Sequence, residues 1–156
     1  MSKNSFATCL GGMDSSGRQT VQFTPDWSQG RAAYGGLVAA VLLKAMRGQV
    51  PADRKLRSMT VSFVGPVAPE ASTVTATVLR QGKSVTQVEA RITQGDAIRA
   101  VAFASFGADR ESGIQLAGAT RPDAPDPAGM RSLPNIPGVT PTFLQHFQLC
   151  WTAGLP

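Results

Sequence analysis

The chain of 156 residues is poor in side chains that hold metals or move protons. It has one histidine, His146, and two cysteines, Cys9 and Cys150. The cysteines stand far apart and fit no C-x-x-C spacing, so no zinc or redox motif and no metal site is expected. Both lie in apolar stretches, where buried reduced thiols are the rule. A Ser-His-Asp set would have to use His146, and no G-x-S-x-G elbow is present. His146 is therefore expected to pack in a core or an interface. Neither G-x-G-x-x-G nor G-K-[ST] occurs, which removes the phosphate-cradling fingerprints. The start "MSKNSFATCL" has no apolar signal core, so a cytoplasmic protein without a membrane role is expected. There is also no block of Lys or Arg. The net charge is +5 and the pI about 9.9, but the cations are scattered, so nucleic acid is not an expected partner.

What is present begins with "AYGGLVAAVLLKAM", Ala33 to Met46. Leu37 to Leu43 is apolar throughout. A surface helix keeps a polar stripe, so this helix should be buried on most sides. It is too short to cross a bilayer, which takes about 20 apolar residues. Arg47 and Gly48 end it, and Pro51 forbids continuation. Upstream, "SFATCL" and "QTVQFTP" flank the turn cluster "GGMDSSGR" and predict a hairpin.

Downstream, "LRSMTVSFVGPV", "STVTATVLRQG", "KSVTQVEARITQG" and "AIRAVAFASFG" predict four strands. Met59, Val61 and Phe63 share one face. Val74, Ala76 and Val78 share another, as do Val88, Ala90 and Ile92. Gln81-Gly82 and Gln94-Gly95-Asp96 supply turns. The threonine-rich opposite faces suit an antiparallel sheet with one solvated side. The fold expected is α+β: a curved antiparallel sheet wrapped around one long apolar helix, over residues 1–110. Residues 111–140, rich in Pro and Gly, predict a linker. Residues 141–156, "TFLQHFQLCWTAGLP" with the preceding proline, predict one apolar strand after which the chain stops.

"GRAAYGGLVAAVLLKAM", "LRSMTVSFVGPVAP", "VLRQGKSVTQVEARITQGD" and "AFASFG" occur in this order and at these gaps. Together they resemble the N-terminal repeat of the TesB-like acyl-CoA thioesterase II family, the double hot-dog proteins. The resemblance covers about residues 5–110. It implies a hot-dog fold and an acyl-CoA substrate, with no cofactor. It also implies that residues 141–156 open a second repeat, truncated here, and that the chain pairs with such a repeat or forms a homo-oligomer.

Thioester hydrolysis needs an attacking water or carboxylate and donors for the developing oxyanion. By the resemblance, Tyr34, Gly35 and Gly36 are candidates for binding the thioester carbonyl, where a helix N-terminus leaves amides bare. The bland alternative is that the glycines merely let the helix pack closely. The family's catalytic Asp, Thr or Ser, and Gln come from the second repeat. An overlay places Gly35, Leu56 and Phe106 near those positions, and none of the three moves protons. Asp26, in the loop before the helix, is the weak catalytic candidate; Asp53 lies downstream. Glu89 and Arg91 read as a solvated pair. Arg80, Lys83 and Ser84, in the turn "RQGKS", are candidates for coenzyme A contact, with Arg57 and Arg31 behind them. The alternatives to an enzyme are a non-catalytic acyl-CoA or acyl-carrier binding module and a purely structural half.

Overall fold

A computed structural model describes residues 4–121 and 123–152. Its centre is α2, Gly35–Arg47, laid across one face of a five-stranded antiparallel sheet. Before it come α1 (Phe6–Gly11), β1 (Arg18–Gln22), a 3-10 turn at Pro25–Trp27, and the two-residue strands β2 (Ser28–Gln29) and β3 (Ala32–Ala33). After it come β4 (Lys55–Phe63), β5 (Ala71–Gln81), β6 (Val85–Gln94) and β7 (Ala97–Gly107). The sheet order is β1-β5-β6-β7-β4. Thus β4, although first of the four long strands in sequence, forms one edge, and β1 forms the other.

The expected hairpin before the helix is not formed. Residues 6–11 are helical, because Ser5 caps them: its hydroxyl accepts from the Thr8 amide at 3.1 Å. The partner of β1 is instead β5, with Arg18 opposite Thr75 and Gln22 opposite Ala71.

The four later strands lie where the alternation put them, and their registers explain the core. Val74, Ala76, Val88, Ala90, Ile92, Ala100, Ala102, Ala104 and Phe106 are buried under α2. They meet Leu37, Val38, Val41, Leu42, Ala45 and Met46, the helix positions that share one face at a 3.6-residue period. Each fully buried Leu, Val or Ile contributes about 1.5–3 kcal/mol. The alanines of β6 and β7 leave room for the helix to approach the sheet. On the opposite face Glu89 and Arg91 form the expected ion pair.

The helix is less enclosed than its composition suggests. Ala39, Ala40 and Leu43 are half-buried, and Gly36 and Lys44 are exposed. The sheet covers one face only, and the inward side of edge strand β4 is left open, so that Phe63 is 58 % exposed.

Beyond β7 the chain has no further helix of α type or strand among the described residues. A 3-10 turn spans Pro127–Gly129, and Ser132 bridges Cys150. The apolar stretch expected as a strand begins as a 3-10 turn, Thr142–His146. Its aromatic side chains dock near the start of α2 instead of pairing in a ladder: Phe143 stacks on Tyr34, with centroids 4.1 Å apart. Residues 153–156 of that expected strand lie outside the described residues.

Candidate functional site

The candidate residues fall at the two ends of α2. The helix has 13 residues and is therefore about 20 Å long. Tyr34, Gly35 and Gly36 stand at its N-terminus. The turn carrying Lys83 and Ser84 stands beyond its C-terminus, where Arg47 donates to the Arg54 carbonyl and Arg54 donates to the turn.

At the N-terminal end, the Tyr34 carbonyl accepts from Leu37 and Val38 at 3.0 and 3.1 Å. Among the described residues, the amides of Gly35 and Gly36 donate no hydrogen bond. Each glycine is faced by an aromatic ring. A β-carbon at Gly36 would fall 2.6 Å from Tyr34 Cζ, and one at Gly35 would fall 3.2 Å from Phe63 Cζ. Two clefts open here. One, of about 320 Å³, is bordered by Trp27, Tyr34, Gly36, Leu37, His146 and Phe147, together with Phe6. The other, of about 410 Å³, runs past Gly35, Val38, Phe63 and Val67. Both walls are apolar apart from the free amides and His146.

Asp26 belongs to this end but is engaged. Its carboxylate accepts the Asn4 amide at 2.9 Å and lies 3.4 Å from His146 Nε2. Its carbonyl accepts from Gln145 Nε2 at 3.0 Å. Burial alone would raise its pKa. The Thr24 hydroxyl, the amides of Asn4 and Asp26 and the His146 ring outweigh burial and hold the carboxyl below its ordinary value. Burial and the charge of Asp26 push the nearby Cys9 thiol up. The imidazole of His146 is 7 % exposed and stacked on Trp27. It is packed, as the sequence predicts, but its pairing with Asp26 across 120 residues has no signature in the sequence.

At the C-terminal end, Arg80 and Lys83 are exposed and Ser84 is half-buried. Arg54, not singled out by its sequence context, is buried beneath this turn. Its Nη2 donates to the carbonyls of Gly82 at 3.2 Å and Lys83 at 2.9 Å. Arg57 donates to the Ala108 carbonyl and to Asp109, each at 2.9 Å, and Lys55 also pairs with Asp109. Asp53 is exposed at the same end, and Arg31 is exposed at the β2–β3 turn, near the other end.

Of the three overlaid positions, two meet directly. Leu56 and Phe106 are register partners. Gly35 lies against the ring of Phe63, at the other end of the same strand β4.

Residues 23–107 match the family described as acyl-CoA thioesterase N-terminal domain. The chain belongs to this family, and its fold is the hot-dog fold. No curated protein matches it. A conserved protein of unknown function with a hot-dog fold from Alicyclobacillus acidocaldarius superposes with a TM-score of 0.77 at 22% identity, over 90% of this chain and 52% of its own. The tesB protein of Mycobacterium avium subspecies paratuberculosis gives 0.66 at 22% identity, over 80% and 49%. The acyl-CoA thioesterase II TesB2 of Mycobacterium marinum gives 0.66 at 19% identity, over 86% and 56%. The chain thus spans about half the length of these structures.

Proposed function

We propose that this chain is one hot-dog half of an acyl-CoA thioesterase, which hydrolyses acyl-CoA to a free fatty acid and coenzyme A. The observation that carries the reading is the family match over residues 23–107. The site geometry is compatible with it. Two free amides beside apolar clefts suit a thioester carbonyl and its acyl group, with Tyr34, Gly35 and Gly36 lining the position. A cationic turn about one helix length away suits the phosphates at the far end of coenzyme A, through Arg80, Lys83 and Ser84. An extended ligand would lie along α2 to reach both.

The proton chemistry belongs, in this reading, to a second repeat. Asp26 is held by Asn4 and His146 rather than aimed at the free amides, so it is the weaker catalytic candidate. The second repeat would sit against β4, whose nine residues leave a long sheet edge unpaired. It would come from the same polypeptide or from a homo-oligomer. Among the described residues no helix is long and apolar enough to cross a membrane. The two cysteines are free, which suits a cytoplasmic setting.

The experiment is hydrolysis of a panel of acyl-CoA thioesters, followed through the released thiol, alongside direct binding. Turnover by this chain, reduced in Asp26→Asn, would place a complete site here. Binding without turnover would support the supporting-half reading. Neither binding nor turnover by a folded sample would leave a purely structural half.

A further inference from the structure

The two clefts at the start of α2 differ in kind. The cleft of about 320 Å³ is bordered by five residues that carry rings: Phe6, Trp27, Tyr34, His146 and Phe147. Phe, Trp and Tyr make up 6% of the chain, so the fold has concentrated them here. They come from α1, the Pro25–Trp27 turn, the cap of α2 and the turn that ends at His146. The cleft past Gly35 has aliphatic walls instead, with Ala32, Ala33, Val38, Pro66 and Val67 around the single ring of Phe63.

The rings of the first cleft are set as rings attract one another, but the network is not closed. Phe6 tilts against Trp27 at 6.1 Å, and Phe147 stands nearly perpendicular to Trp27 and Tyr34 at 6.1 and 5.7 Å. These spacings lie within the favourable range of about 4.5–7 Å. Phe6 and Phe147 are nevertheless 48 % and 44 % exposed, so each keeps ring surface uncovered. A planar ring entering the cleft would extend the network. A saturated group of the same outline buries similar area but has no quadrupole to match.

Size and charge narrow the ligand further. Ligand pockets run from about 300 to 1,000 Å³, so this cleft is near the small end and suits one ring better than a long chain. No Asp, Glu, Lys or Arg borders it among the described residues. A cationic ligand is disfavoured, because the start of α2 is the positive end of the helix dipole. Gly36, whose amide is free, borders the cleft.

We propose that this cleft selects an aromatic acyl group: an arylalkanoate or its thioester, with the ring among Phe6, Trp27 and Phe147 and the carbonyl at Gly36. The seat of the carbonyl rests on the thioesterase reading. The seat of the ring rests on the walls of the cleft alone.

The test is NMR titration of the ¹⁵N-labelled chain at constant ionic strength, with sodium 3-phenylpropanoate and separately with sodium 3-cyclohexylpropanoate. The result expected is a saturable shift centred on the Trp27 indole N–H and the Gly36 amide. The phenyl acid should bind more tightly by about twofold to tenfold, the fold-change that one ring pair supplies. Phe147→Leu keeps the wall apolar and should remove most of that preference. Because Phe147 also fastens its own segment, Phe6→Leu is the second variant and should narrow the preference too. Equal affinity for the two acids, a shift that centres elsewhere or does not saturate, or a preference that survives both substitutions would overturn the proposal. The same two acyl groups are then offered as coenzyme A thioesters. A phenyl preference among the acids with no thioester bound keeps the cleft and sinks the thioesterase reading. Thioesters bound or hydrolysed without a phenyl preference do the reverse.

Discussion

The imidazole of His146 lies flat on the indole of Trp27, with ring centroids 4.0 Å apart and planes within 2° of parallel. Phe143 lies equally flat on Tyr34, and Phe147 meets both Trp27 and Tyr34 edge-on. These contacts fasten the segment after the Pro/Gly-rich stretch to the N-terminus of α2. His146→Ala should therefore release that segment more than it destabilises the sheet. Each aromatic pair is worth about 0.5–1.5 kcal/mol beyond burial. In a Trp151→Phe background, Trp27 emission should shift to the red and limited proteolysis after residue 110 should quicken. Unchanged emission and cleavage would show that the stack does not hold the segment.

Asp26 adds a pH dependence whose sign follows from its lowered pKa. The ordinary aspartate value is about 3.9. A group held lower in the folded state stabilises the fold above the unfolded value, and that stabilisation is lost as pH falls through the folded value. Asp26→Asn should be less stable than the unaltered chain at neutral pH. The gap should close as the solution is acidified below about pH 4. Urea midpoints across the acid range check this. A gap independent of pH would assign the effect to packing.

The two glycines that open α2 should respond differently to alanine. At Gly36 the new methyl meets the Tyr34 ring, itself stacked on Phe143, so the pair must separate. Overpacking of this kind costs about 1–3 kcal/mol. At Gly35 the methyl meets only the far end of the exposed Phe63 ring, which yields more easily. The gain in helix propensity, up to about 1 kcal/mol, should then bring Gly35→Ala close to neutral. Equal losses at the two positions would contradict this packing.

Ala102, fully buried between α2 and the sheet, tests how closely the helix sits. Ala102→Leu should destabilise by about 1–3 kcal/mol, because three extra carbons have no space beneath Val88, Ala90 and the helix. A neutral result by denaturant titration would show that the helix can lift.

The elements with strong periodicity were legible in the sequence. The alternation of Val74, Ala76 and Val78, and of Val88, Ala90 and Ile92, places β5 and β6 without a structure, since strand faces repeat every two residues. The apolar run of α2 and its Arg47-Gly48 ending mark that helix. Weakly patterned segments misled. "SFATCL" alternates well enough to pass for a strand, but Ser5 caps it as a helix and Cys9 and Leu10 pack against the core. "TFLQH" is apolar enough for a strand, but it forms a 3-10 turn and docks its rings on Tyr34 and Trp27.

The candidate site divides along the same line. Gly35, Gly36 and the "RQGKS" turn could be found from the chain, because glycine and turn chemistry are local. That Tyr34 covers Gly36, that His146 reaches Asp26, and that buried Arg54 pulls in the Gly82 and Lys83 carbonyls could not. Each joins residues whose relation depends on the register of the sheet or on the path of a loop.

The sequence by itself determined the strongly patterned elements and, for β5 and β6, the face each one buries, because side-chain period and backbone preference act over a few residues. The tertiary structure decided the rest. It placed β4 at an edge next to β7, separated the two groups of candidates by the length of α2, and gathered Arg54, Lys55, Arg57, Arg80, Lys83 and Arg110 at one end of the molecule. In the sequence those cations look scattered. Strand pairing brings distant residues together, and only that pairing concentrates their charge.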